Sequence, residues 1–166
     1  MVPVLGREVE EGEQSSPVLG QAGDRLVVFG AVLVGEHIRH PDVHQSLYLL
    51  TELSPDIAAD LVHKRLGEIR GEAYWVLRPV AERLTESHPV AAILLYRQMA
   101  DAVLRRGQSQ YYDHAVRDLI TAERLVPKVE DWRGYRPQEA YRQQVAIEHR
   151  QKRAFWERMG RAGLSW

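Results

Sequence analysis

From about residue 41 onward, apolar residues recur every three or four positions, which is the spacing of one face of an α-helix. Prolines and glycines divide this pattern into segments. The predicted helical segments are 41–52, 55–66, 72–86, 88–106, 109–127 and 137–160. Short connections make successive helices antiparallel. The pattern therefore predicts an all-α fold, in which antiparallel helical hairpins stack as a short α-solenoid.

Proline positions refine the predicted helix boundaries. Pro41, Pro55 and Pro89 stand where the first turn of a helix tolerates a residue without an amide hydrogen. Ser54 is the expected N-cap of the second segment, with its hydroxyl bonded to a free amide. Pro79 lies inside the third segment, so we expect a kink or a split there.

The segment 88–106 is apolar on almost every side until Arg105 and Arg106. A helix that is apolar all round is a buried helix, so this segment should be the spine of the fold. The next segment has a narrower apolar stripe, which includes small alanines and favours close packing against a neighbour.

The last segment carries polar side chains on its apolar stripe. Six residues fall within about 80° of one another on one helix: Tyr141, Val145, His149, Lys152, Trp156 and Met159. An unpaired buried polar group costs about 2 kcal/mol or more. His149 and Lys152 therefore need partners on the facing helix or a pocket that they share.

The first part of the chain has a different composition. Residues 1–24 are rich in Gly, Glu, Gln, Ser and Pro. Short valine–leucine pairs in this part are compatible with a β-strand. We therefore expect an N-terminal arm that is flexible, irregular, partly β or docked on a partner. Residues 26–37 fit either a strand or a helix, with the helix slightly favoured. A chain of 166 residues is too short for two ordinary domains, so residues 25–166 should form a single helical domain.

Composition excludes several classes of function. The chain has no cysteine, which excludes disulfides, thiolate metal sites and cysteine nucleophiles. No apolar run approaches the roughly 18 residues of a membrane span, and an acidic stretch follows Met1 where a signal peptide would be basic. We therefore expect a cytoplasmic protein without membrane association.

Charge is unevenly distributed, although the net charge is only −1. Residues 1–24 carry five acids against at most two bases, whereas residues 133–166 carry eight bases against three acids. Such asymmetry can mark a surface that binds nucleic acid. Because the C-terminal bases alternate with apolar residues, a solvated helix surface is the favoured interpretation.

No pattern for catalysis or phosphate binding is present. The sequence lacks a Gly-x-Ser-x-Gly motif and both glycine-rich phosphate loops. A cluster of Glu36, His37, His40 and His44 resembles a metal site, but Pro41 interrupts the spacing, so an exposed histidine-rich turn is favoured. We expect no cofactor and no metal, and a non-enzymatic role is favoured while an enzymatic one stays open.

Several motifs in the last eighty residues point to a known family. They are Ser87-His88-Pro89-Val90-Ala91-Ala92, Ser109 with Tyr112, His114, Ala115, Arg117 and Leu119, then Asp131-Trp132, and finally His149, Lys152, Phe155 and Trp156. Together they resemble the C-terminal region of an uncharacterised bacterial all-helical family that is also found appended to SWIM zinc-finger proteins. The resemblance implies a tetratricopeptide-like helical stack without an established activity. Gln108 and Gln110 stand where the family has a basic pair, and the SWIM cysteines are absent.

An antiparallel hairpin of the last two segments would bring polar and aromatic residues together. The candidate residues are Tyr111, Tyr112, His114, Arg117, His149, Lys152 and Trp156. This niche would capture a carboxylate or phosphate of a partner, with Lys152 as a point charge and Trp156 as a cation–π wall. The competing interpretation is a structural network that fixes helix register. A further alternative is a small-ligand or enzymatic site around His114, His149 and Lys152.

The sequence therefore predicts a non-enzymatic helical repeat-like module for protein–protein interaction or self-association. Exposed apolar ends of a short helical stack are covered by a capping element or by a second copy, so we expect a homodimer. Nucleic-acid binding through the basic C-terminal helix is the alternative.

Overall fold

The computed structural model describes residues 42–164 and 166. Its regular elements are all helical, which confirms the predicted all-α class for this part of the chain. The helices are α1 Val43–Leu53, α2 Pro55–Arg65, α3 Tyr74–Leu84, α4 Pro89–Arg106, α5 Tyr112–Leu125, α6 Gln138–Glu148 and α7 Arg153–Arg161. Short 3-10 turns cover Leu66–Glu68, Ser109–Tyr111 and Val126–Lys128. Within the described ranges, none of these helices is long and apolar enough to span a membrane.

Some predictions concern residues outside this part of the chain. They are the arm over 1–24, the ambiguous segment 26–37, the start of a helix at Pro41, and the three members of the histidine cluster Glu36, His37 and His40.

The first helices begin largely as the sequence predicts. Asp42 caps α1, because its carboxylate accepts a hydrogen bond of 3.2 Å from the amide of His44. Pro55 and Pro89 occupy the first turns of α2 and α4. Ser54 holds the N-cap position of α2, but its hydroxyl makes no capping hydrogen bond, so the predicted bond is wrong.

Pro79 lies inside α3, and the helix continues through it without a split. Proline removes the hydrogen bond to the residue four positions earlier, which here is Trp75. Trp75 is in the first turn and its side chain is 67% exposed. Because water can reach this end of the helix, the missing bond is less costly here than in a buried helix interior.

Helix α4 is the spine, as predicted. Its buried apolar residues between Val90 and Met99 belong to a core shared with α1, α2, α3 and the end of α5. Ala100 and Leu104 belong to a second core with α5, α6 and α7. It packs directly against α3 on one side and α5 on the other. Gly107 ends the helix in the left-handed conformation, with φ of 68°.

The prediction of one helix over 137–160 is wrong. Helix α6 ends at Glu148 and α7 begins at Arg153, so His149 and Lys152 lie in the turn between two helices. The carbonyl oxygen of His149 accepts hydrogen bonds of 2.9 Å from the Lys152 amide and from Nε1 of Trp156. The break allows α7 to pack against α5 with Phe155 and Met159 fully buried. No glycine or proline marks it in the sequence.

Candidate functional site

A cavity of about 320 Å³ opens between α3, α4 and α5, and we call it the α3–α5 cavity. The loop before α3 and the turn before α5 complete its walls. Its lining residues are Gly71, Glu72, Tyr74, Arg78, Met99, Ala102, Val103, Arg106, Gln108, Tyr111, His114, Arg117 and Asp118. The volume is at the lower end of the range for ligand-binding pockets.

The cavity has an apolar interior and an aromatic mouth. Met99 and Ala102 are buried and Val103 is half-buried, so the α4 side supplies apolar surface. Tyr74 is 59% exposed and Tyr111 is 45% exposed, which places both rings near the opening. Such a pocket favours an apolar group that enters past aromatic side chains.

Positive charge dominates the polar lining. Arg78, Arg106 and Arg117 are balanced only by Glu72 and Asp118. Arg106 lies 3.7 Å from the Glu72 carboxylate, which is a loose ion pair between exposed side chains. No carboxylate of the described residues lies within ion-pair distance of Arg117.

Asp118 is the buried acid of the cavity. It is 1% exposed, and its Oδ1 lies 2.8 Å from a guanidinium nitrogen of Arg78. The two atoms are at ion-pair distance, but no well-aligned hydrogen bond reaches Oδ1. Burial raises the pKa of Asp118 to about 6, and the charge of Arg78 opposes that rise.

A second pocket adjoins the cavity, and we call it the outer pocket. It is more open, and its lining residues are Gly67, Ile69, Arg70, Gly71, Glu72, Gln98, Arg105 and Arg106. The loop before α3 presses closely against α4 here. A methyl group on Gly71 would lie 1.9 Å from the carbonyl oxygen of Gln98, so only glycine fits without a shift of the backbone.

Three of the seven predicted niche residues line the α3–α5 cavity: Tyr111, His114 and Arg117. The rings of Tyr111 and His114 are 6.3 Å apart. Tyr112 instead is buried in the core, where its ring meets Phe155 at 5.9 Å.

His149 and Lys152 lie in the turn between α6 and α7, and Trp156 lies in the first turn of α7. His149 is 8% exposed. Burial lowers its pKa, and the nearby positive charge of Lys152 lowers it further. The Nζ of Lys152 lies 3.7 Å from where a Cβ of Gly107 would be, at the C-terminal end of α4. Trp156 donates its indole N–H to His149. The seven residues therefore do not line one cavity.

The sequence did not identify most of the charged residues that line the α3–α5 cavity, which include Glu72, Arg78, Arg106 and Asp118. One signal for Asp118 was available. It lies three residues after Ala115 and four before Ala122, on the apolar stripe of α5, and an acid on such a stripe must have a buried partner. Glu72 and Arg78 show no such signal, because only the packing of α3 brings them to the cavity.

Several C-terminal bases are engaged within the chain. Arg142 pairs with Glu123 and Glu139, and Arg158 lies 2.9 Å from Asp113. Such pairs reduce the positive charge available to a nucleic-acid phosphate backbone.

His44, the described member of the histidine cluster, has two partners. Its Nδ1 lies 2.9 Å from Asp42, and its Nε2 accepts a hydrogen bond from the amide of Arg70. Across residues 42–164 and 166, no group of three histidines or carboxylates is placed to hold a metal ion.

Over the described residues, these features define a helical domain with a charged cavity beside its central helix. The model of a family of unknown function, DUF6880, matches residues 33–158, a stretch that includes α1 to α6 and most of α7. The chain therefore belongs to the DUF6880 family. Comparisons with curated proteins and with solved structures gave no match. The resemblance to the domain appended to SWIM zinc-finger proteins stays a prediction.

Proposed function

We propose that this chain is a non-enzymatic, tetratricopeptide-like helical module that binds a segment of another protein in the α3–α5 cavity. The observation that carries the proposal is the combination of an apolar inner wall, from Met99 and Ala102, with an arginine and tyrosine at the mouth, Arg117 and Tyr111. The helical-repeat part of the proposal is supported by the packing of α3, α4 and α5 against one another in chain order.

The chemistry of the mouth is that of a protein-binding surface. Tyrosine and arginine are enriched among the residues that dominate binding energy at interfaces, especially beside a pocket that excludes water. Tyr74 and Tyr111 hold large exposed apolar surfaces there. Arg117 adds a charge that no described carboxylate neutralises at close range. A partner that fills the cavity would shield this charge and bury both rings.

Nucleic-acid binding receives less support. The pairs formed by Arg142 and Arg158 engage two of the bases on which that alternative depends.

A peptide-display selection tests the proposal. We expect a random peptide library to yield sequences that bind the protein, and Arg117→Glu to weaken their binding by about tenfold, which corresponds to about 1.4 kcal/mol. Arg124→Glu is the matched control, because Arg124 is exposed on the same helix but does not line the cavity. Failure to select any peptide, or equal effects of the two substitutions, would overturn the proposal.

The partner segment can belong to a different protein or to a second copy of this chain. Size-exclusion chromatography with light scattering separates the two cases. A dimer that Arg117→Glu converts to a monomer identifies the second copy as the partner. A monomer at all salt concentrations assigns the cavity to a different protein.

A further inference from the structure

We propose that the bound segment is an extended acidic peptide that inserts one large apolar side chain into the α3–α5 cavity and lays its carboxylates along the outer pocket. This inference rests on the proposed function and names the chemistry of the partner. It is supported by the residues that the two adjoining pockets share and by the charges that line them.

The two pockets adjoin each other, because Gly71, Glu72 and Arg106 line both of them. We call the two pockets together the cleft. Between the pockets, the Arg106 and Glu72 side chains are 59% and 40% exposed and 3.7 Å apart. An ion pair this exposed contributes little stability, so a carboxylate of the peptide can replace Glu72 as the partner of Arg106.

Arginines that form no ion pair with a described carboxylate line both ends of the cleft. Arg70 and Arg105 lie on the outer pocket and Arg117 lies in the cavity. No carboxylate of the described residues comes within ion-pair distance of these three. Guanidinium groups form strong, charge-assisted hydrogen bonds with carboxylates, and complementary charge also speeds association. An acidic segment fits this arrangement, whereas a basic one would be repelled.

The cleft also offers an acceptor that suits a peptide backbone. The exposed carboxylate of Glu72 can accept a hydrogen bond from a peptide N–H group. A phosphodiester backbone has no such donors. The close contact of Gly71 with Gln98 fixes this wall of the cleft. These features favour a peptide over a single-stranded nucleic acid.

The cavity accounts for the apolar anchor. Met99, Ala102 and Val103 give it an apolar inner surface, and Tyr74 and Tyr111 stand at its mouth. A volume of about 320 Å³ holds one large side chain but not a folded domain. Residues on either side of the anchor would then reach Arg117 in one direction and Arg105 in the other.

Fluorescence anisotropy with a labelled eight-residue peptide tests this inference. The peptide carries three glutamates on each side of a central Trp-Gly pair. Two comparison peptides replace all glutamates by glutamines or the tryptophan by glycine. We expect each replacement to weaken binding by about tenfold or more. Labelled oligouridine is the nucleic-acid probe, and it should bind more weakly than the acidic peptide.

Protein variants locate the binding. Arg105→Glu and Arg117→Glu should each weaken binding of the acidic peptide by about tenfold, and Arg124→Glu, which changes net charge equally, should have little effect. Thermal melting confirms that the variants are folded. Equal loss in all three variants, equal binding of the glutamine peptide, or tighter cleft-dependent binding of oligouridine would overturn the inference. If displayed peptides bind through Arg117 but are not acidic, the proposed function survives and this inference fails.

Discussion

The side chain of Arg97 donates two hydrogen bonds to Oε1 of Gln138, at 2.6 and 3.2 Å, although 41 residues separate them. Both side chains are buried. Arg97 also donates to the carbonyl oxygen of Arg136 at 2.7 Å, and its guanidinium lies 4.5 Å from the centre of the Tyr141 ring and 4.9 Å from that of Trp132. Burial lowers the pKa of Arg97 to about 10, so it stays charged at neutral pH. This cluster ties α4 to the start of α6.

Replacing Arg97 by methionine should therefore destabilise the protein. The substitution keeps much of the apolar stem but leaves Gln138 and the Arg136 carbonyl without their donor. The Gln138 side chain is buried, whereas the bond to the Arg136 carbonyl is only partly buried. An unsatisfied buried group costs about 1–3 kcal/mol, so with both partners lost we expect the free energy of unfolding to fall by about 2–4 kcal/mol. Urea denaturation measures the change. Arg124→Met on the exposed side of α5 is the control, with an expected change within about 0.5 kcal/mol. Equal stabilities of the two variants would contradict a structural role for Arg97.

The sequence predicted that α4 is the spine of the fold, because this segment is apolar on almost every side. The role of Arg97 could not be predicted in the same way. An arginine in an apolar run can extend its charged end to solvent, and only the position of Gln138 after the α5–α6 connection determines that it is buried here. Sequence periodicity reports which face of a helix is buried but does not identify the distant residue that satisfies a polar group.

Gly71 should tolerate alanine poorly. The added methyl group would lie 1.9 Å from the carbonyl oxygen and 2.5 Å from the carbonyl carbon of Gln98, both of which belong to the backbone of α4. The loop must move away from the helix, and overpacking of this kind costs about 1–3 kcal/mol. We expect a lower midpoint of thermal unfolding and weaker binding in the adjoining cleft.

Gly67→Ala is the matched control for Gly71→Ala. Gly67 lies four residues earlier in the same connection, and nothing stands within 4 Å of its added methyl group. Its unfolding midpoint should stay near that of the unchanged protein, or rise slightly because alanine restricts the unfolded chain. Similar losses in both variants would show that the contact with Gln98 does not constrain the loop.

The candidate site was predictable only in part. Tyr111, His114 and Arg117 share one helical segment, and their chemistry was visible before their position was known. His149 and Lys152 were placed beside them on the assumption of one long helix, and the turn that begins at His149 moves this pair to the end of α4. No proline or glycine marks that turn, so helical periodicity extends through it. The break follows from packing, because α7 must turn to bury Phe155 against Tyr112.

Asp118 should make stability depend on pH in a defined window. Its pKa is about 6 in the folded protein, against an ordinary value of 3.8. Between these values the folded state binds more protons than the unfolded state, so stability rises as pH falls from about 6 towards 4. The contribution is at most about 1.4 kcal/mol per pH unit. The Asp118→Asn variant lacks this contribution. Burial also raises the pKa of Asp101, and the pH dependence that Asp101 contributes remains in the variant.

Urea denaturation between pH 4 and 7 measures this contribution as the difference between the unchanged protein and Asp118→Asn. We expect the difference to change through the window and to level off above about pH 6. A difference that is constant with pH would mean that Asp118 titrates at its ordinary value and that Arg78 compensates fully for burial.

Lys152 should stabilise the end of α4, so reversing its charge should weaken the fold. Its Nζ lies beside Gly107, at the end of the helix where unpaired carbonyl groups carry partial negative charge. A cation there contributes about 0.3–1 kcal/mol, and Lys152→Glu replaces attraction with repulsion, so we expect a loss of about 1 kcal/mol in urea denaturation. Arg153→Glu is the control: Arg153 is exposed in the first turn of α7, where an acid is favourable, so stability should hold or rise slightly. If Lys152→Glu keeps full stability but loses a peptide that Arg117→Glu also loses, Lys152 belongs to the binding surface instead.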